Sequence, residues 1–118
     1  MTQPMLPALL SSAGYRVDVV YNGDDSLRQL EVIPYDIVIV KESPLMESWN
    51  LCMRIRDLSS TIPLIVISSN ASTETCVKTI NAGADYFMRK PFGPLELLAR
   101  IRSLLQRAPI PQSIPARP

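Results

Sequence analysis

Two periods of apolar residues alternate along the chain. Strand-like runs at Tyr15–Val20, Asp36–Val40, Pro63–Ser68 and Asp85–Met88 are each followed by a helical pattern. They recur at intervals of about 20 to 27 residues, the signal for βαβ units feeding a parallel sheet. The runs Ile37-Val38-Ile39-Val40 and Leu64-Ile65-Val66-Ile67 are continuous and β-branched, as strands covered on both faces should be. In Tyr15–Val20, Arg16 and Asp18 alternate with Val17 and Val19, which fits a sheet edge. Asp24 and Asp25 open a helix bearing Leu27 and Leu30; Asn70 or Ser72 opens one bearing Val77 and Ile80, and Gly83 closes it. Leu51, Cys52, Ile55 and Leu58 form one stripe, and Leu97, Leu98, Ile101, Leu104 and Leu105 another beyond Gly93 and Pro94.

The two ends break this rhythm. Prolines 4 and 7 precede Ala8, Leu9 and Leu10, so the start offers a short helix and no strand of its own. After Arg107 the sequence Ala-Pro-Ile-Pro-Gln-Ser-Ile-Pro-Ala-Arg-Pro disfavours helix and central strand and reads as an extended linker. The domain reading is therefore one folded unit over 1–107 and a proline-rich linker or tail over 108–118, leading towards a separate effector domain.

Composition narrows the function. A chain of 118 residues, 47% hydrophobic, buries roughly two thirds of its surface on folding, enough for one core. Twelve basic residues against eleven acidic give a formal charge of +1, without the strongly basic footprint of a stand-alone nucleic-acid binder. No apolar run approaches the ~18 residues of a membrane span, and the start lacks a secretory signal. Cys52 and Cys76 make no disulfide framework, so the expected compartment is the cytoplasm. The absence of histidine excludes Ser-His-Asp and Cys-His catalysis, His-containing zinc sites and an internal phosphohistidine relay.

The stretch Gly83-Ala84-Asp85-Tyr86-Phe87-Met88-Arg89-Lys90-Pro91-Phe92, with Ala13-Gly14-Tyr15 and Tyr35-Asp36-Ile37-Val38-Ile39-Val40, resembles the receiver domain of bacterial response regulators over roughly residues 5 to 107. Glu96-Leu97-Leu98-Ala99-Arg100-Ile101-Arg102 is similar to the last helix of the OmpR-type transcription factors in that family. The resemblance implies an α/β, flavodoxin-like receiver fold, a doubly wound parallel sheet with four or five strands, here lacking or altered in the first. In the family that strand lies between the second and third, so Ile37–Val40 is left with an edge to fill; direct pairing with Tyr15–Val20 in a four-stranded sheet is the expected solution, the alternatives being a strand donated by a second chain, an irregular N-terminus there, or a first strand lying upstream of Met1.

The family's chemistry is a phosphoryl group taken by an aspartate at the end of the third strand, with Mg²⁺ held by that aspartate and an acidic pair. Clustered carboxylates bind the hard cation, which offsets charge on the transferring group. Here Lys41 occupies the phosphoacceptor position, and no Asp or Glu precedes Asp18 to supply the pair. An ammonium group neither accepts the phosphoryl group as a carboxylate does nor ligates Mg²⁺ while charged. Glu42 is adjacent; a one-residue slip would put it at the acceptor position, while the plainer reading makes it a solvated loop residue or a partner of Lys41 or Lys90. Ser68, Phe87 and Lys90 match the family's switch residues, although Ser68 equally ends a strand, Phe87 equally sits in the core and Lys90 equally is a solvated lysine. If Lys41 and Lys90 converge, their pocket should admit an anion or recruit Glu42.

The resemblance also implies a dimer face, with Glu96 and Arg100 at matching positions and Lys78 and Tyr86 nearby, against the simpler reading of an i,i+4 surface pair. The expected function is a phosphorylation-independent regulatory and dimerisation domain of a two-component-type transcriptional regulator. It is not an enzyme, carries no cofactor or metal, does not contact membrane, acts as a homodimer and with regulatory protein partners, and meets DNA only through a separate domain. The alternative is a free-standing interaction adaptor; an active phosphoacceptor receiver is the third.

Overall fold

A computed structural model describes residues 5–42, 48–69 and 72–107. In chain order the elements are α1 (Met5–Ser12), α2 (Gly23–Val32), β1 (Val38–Lys41), α3 (Ser48–Leu58), β2 (Leu64–Ser68), α4 (Thr73–Asn81), β3 (Tyr86–Arg89) and α5 (Pro94–Arg107). Among the described residues the sheet has three parallel strands in the order β1-β2-β3. Val38 lies opposite Leu64 in one ladder and Ile65 opposite Tyr86 in the other.

Pleating divides the strand residues between two apolar layers. Ile65 and Ile67 of β2 and Met88 of β3 pack with Leu10 of α1 and Leu97, Ile101 and Leu104 of α5. Leu64 and Val66 turn the other way, with Val40, against Leu51, Cys52 and Ile55 of α3, and Leu27 and Leu30 of α2 close this side. All five residues of β2 are buried, which is why its sequence carries no polar alternation until Ser68.

Local signals set the helix limits. Asn22, rather than Asp24 or Asp25, caps α2 by accepting the Asp25 N–H; the two aspartates fall in the first turn, where negative charge favours the helix N-terminus. Ser72 is the cap of α4 and accepts the Thr75 N–H. Gly83 closes that helix with φ +120°. A Cβ there would stand 2.6 Å from Cγ of Arg56, so both the left-handed backbone and the close approach require glycine. The guanidinium so accommodated donates to Gly83 O through Nε and Nη2, to Ser59 O and Ile62 O through Nη1, and to Asp85 Oδ2. Asp85 Oδ2 also accepts the Leu64 N–H at 2.9 Å. One side chain thus fastens α3 to the entries of β2 and β3.

Two expectations are corrected. Tyr15–Val20 joins no ladder, so the four-stranded sheet with that segment paired to Ile37–Val40 does not form among the described residues. Among the described residues β1, read from its β-branched run as a central strand, is therefore an edge of the sheet. Burial had to be inferred from side-chain type, and Ile37 to Val40 have the composition of a central strand whether or not a neighbour is present on both sides. The linker assigned to 108–118 lies outside the described residues.

Candidate functional site

The carboxyl ends of the three strands carry the residues singled out for chemistry. β1 ends in Lys41 and β2 in Ser68, while Lys90 follows the last residue of β3. Backbone pairing fixes their relative heights: Lys41 is level with Ile67, and Ser68 with Arg89. Glu42 N–H donates to Ile67 O at 2.8 Å and Lys90 N–H to Ser68 O at 2.9 Å. The three positions therefore meet on one rim, as the resemblance implies. Ser68 is buried, and Lys41 and Lys90 are exposed.

Strand spacing separates Lys41 and Lys90 by two ladder steps, roughly 10 Å between backbones. The Glu42 carboxylate accepts from Ser48 Oγ at 3.2 Å, and Ser48 Oγ lies 3.4 Å from Thr79 Oγ1 on α4. Its other oxygen, Oε1, is buried with no hydrogen-bond partner among the described residues. The expectation of a solvated Glu42, or one paired with Lys41 or Lys90, is thereby overturned: the strand's alternation turns residue 42 inward, beneath the start of α3. Its charge helps burial push the Cys52 thiol up to about 11, burial being the larger cause and Arg56 opposing it.

Phe87, half-buried on β3, packs against the α3 side of the sheet with the Arg89 guanidinium 5.9 Å from its ring centre. The Lys90–Pro91 peptide is cis. Farther along, Glu96 and Arg100 pair at 3.7 Å, and Arg100 also stacks over Tyr86 at 4.5 Å. Lys78 pairs with Glu74 at 3.7 Å and lies 4.9 Å from the Trp49 ring. The cation–π contacts of Lys78 and Arg100 are absent from the sequence reading, because each joins different elements and no spacing reveals it. Val77, Ile80 and Leu95 are exposed on the same helices.

A rim at the carboxyl ends of parallel strands, with Ser68 and Lys90 on adjacent strand ends and Lys41 on the first, agrees with one family. Residues 2–102 match the response regulator receiver domain family. The chain belongs to that family. This receiver is 38% identical over 101 residues to the response regulator ArlR of Staphylococcus aureus, covering 85% of this chain and 46% of that protein. It is 35% identical over 99 residues to Protein RcaC of Microchaete diplosiphon, covering 83% of this chain and 15% of that one. The chain thus spans less than half the length of either relative. Among solved structures, the CheY-like response regulator receiver domain protein of Methanospirillum hungatei superposes with a TM-score of 0.78 at 28% identity, over 85% of this chain and 81% of the other.

Lys41 ends β1 with an exposed side chain, and the Glu42 carboxylate accepts from Ser48 Oγ. Among the described residues no three His, Cys, Asp or Glu side chains converge. Nor is any described helix long and apolar enough to cross a membrane.

Proposed function

We propose that this receiver regulates without phosphorylation, as the dimerising regulatory domain of an OmpR-type transcriptional regulator whose DNA contacts lie in a separate domain. The observation that carries the reading is Lys41 at the end of β1. A positive, exposed side chain stands where phosphoryl transfer to a receiver needs a carboxylate, and the nearest carboxylate faces α3. Ser68, Phe87 and Lys90 keep the switch geometry without an acceptor for it to sense, so the state of the domain is set by its contacts. Those contacts run through Lys78, Tyr86, Glu96 and Arg100, beside the exposed Val77, Ile80 and Leu95. The patch combines apolar area with a polar margin, as protein interfaces do. Regulatory protein partners and a cytoplasmic location belong to the same reading.

Two measurements test it. Titration with Mg²⁺, followed through the amide resonances of Lys41, Ser68 and Lys90, is expected to leave all three unmoved, and saturable shifts would overturn the phosphorylation-independent reading. Sedimentation of the Glu96→Arg and Leu95→Glu variants is expected to show a loss of dimer, whereas a sedimentation coefficient unchanged in both would remove this face from the account.

A further inference from the structure

Little apolar surface holds α4 to the body of the domain. Among its described residues only Thr79 is buried, while Val77 and Ile80 are 50% and 40% exposed. The residue that seats the helix is thus polar, and its hydroxyl lies 3.4 Å from Ser48 Oγ at the start of α3. Ser48 Oγ in turn donates to Glu42 Oε2 at 3.2 Å. With the single Ser48 hydroxyl proton given to the carboxylate, Thr79 Oγ1 is the donor of the second contact. Ser48 and Thr79 are both shut off from solvent, so bulk water replaces neither bond, and a buried hydroxyl left unpaired is costly. The other end of this chain of hydrogen bonds is fixed to the sheet: Glu42 N–H donates to Ile67 O at 2.8 Å, which holds residue 42 at the end of β1, beside Lys41 on the rim. Its carboxylate meets the first turn of α3, where negative charge is favoured, and a charged acceptor strengthens the bond it receives.

We propose that Glu42 is a positioning residue for α4: through Ser48 and Thr79 its carboxylate sets where that helix sits against α3, and so ties the outer face bearing Val77, Lys78 and Ile80 to the rim at the end of β1. The link goes beyond regulation without phosphorylation and needs no dimer, because it is made and read within one chain. Loss of the dimer face from the account would leave it standing. Trp49, the residue after Ser48 on α3, supplies a gauge of the link. Lys78 Nζ on α4 lies 4.9 Å from its ring centre, so the Lys78 side-chain protons feel the ring current of a residue on the other helix, and a displaced α4 changes that shift.

Proton NMR and amide hydrogen exchange on the 118-residue chain test this with three variants. Glu42→Gln removes the charge and Thr79→Val the hydroxyl at nearly constant shape, and Ser48→Ala removes the link between them. Each is expected to reduce the ring-current shift of the Lys78 side chain and to speed exchange at Thr79 and Ile80 by about twofold or more relative to Ile65 and Ile101. The double variant Glu42→Gln/Thr79→Val should add nothing to the larger single effect, as expected of residues acting through one chain of bonds. Asp24→Asn, which alters an exposed pair with Arg54, is the control and should move neither reading. Four results overturn the proposal: an unchanged Lys78 shift and unchanged α4 exchange in Glu42→Gln or Ser48→Ala, single effects that multiply in the double variant, equal quickening of all four amides, or an equal response to Asp24→Asn.

Discussion

Replacing Arg56 with methionine tests how this small sheet is held in place. The substitution keeps the apolar stem that lies against Gly83 and deletes the guanidinium of a side chain only 17% exposed. Lost with it are hydrogen bonds of 2.8 and 3.0 Å to Gly83 O, of 2.6 Å to Ile62 O and of 3.2 Å to Ser59 O. A hydrogen bond from a charged donor contributes about 1.5 kcal/mol or more, and water can re-solvate only part of what is uncovered. Counting the Gly83 and Ile62 carbonyls as the two that matter gives a loss of about 3 kcal/mol. The Asp85 pair at 3.2 Å, with the carboxylate 28% exposed, adds well under about 1 kcal/mol. Against the 5–15 kcal/mol typical of domains, that is a large fraction. Urea unfolding should show the midpoint fall with an unchanged m value, and Arg56→Lys, which keeps the charge but not the fork, should recover only part of it. A loss below about 1 kcal/mol for Arg56→Met would refute the reasoning.

Other consequences follow from single residues. Gly83→Ala forces a Cβ to within 2.6 Å of Arg56 Cγ at a φ of +120°, so it should cost about 1–3 kcal/mol in the same urea assay and shift the Arg56 side-chain resonances. The Cys52 thiol, raised to about 11 from its ordinary 9.0, makes the folded state bind the more protons above pH 9. Its contribution to stability is therefore complete below about pH 9 and is lost as pH rises towards 11. Urea midpoints across that range should fall more steeply for the parent chain than for Cys52→Ala, and parallel curves would remove the effect.

Much of this architecture is legible in the residues. The β-branched run Leu64 to Ile67 marks the buried central strand, Ser72 and Gly83 bound α4, and the Lys90-Pro91-Phe92 ending points to the family from sequence alone. Failure came where a neighbour, and not the residue itself, decides the outcome. Ile37 to Val40 look central because β-branched side chains suit a covered strand, yet among the described residues only β2 pairs with them. Val17 and Val19 alternate properly, but pairing needs a partner backbone at ladder distance, which no local pattern records. Glu42 looked like a solvent-facing loop residue; strand alternation and the position of Ser48 turned it inward. The rim of Lys41, Ser68 and Lys90 was foreseeable through the resemblance, whereas Arg100 over Tyr86 depends on how α5 lies across β3.

The chemistry at the end of β1 decides whether this receiver works without phosphorylation. Incubating the chain with a small phosphodonor such as acetyl phosphate in the presence of Mg²⁺, then measuring intact mass at neutral pH, addresses it directly. The mass is predicted to stay that of the unmodified chain, since Lys41 offers an ammonium where the transfer needs a carboxylate. A stable gain of one phosphoryl group, mapped to Glu42 or to any other residue of the rim, would contradict it.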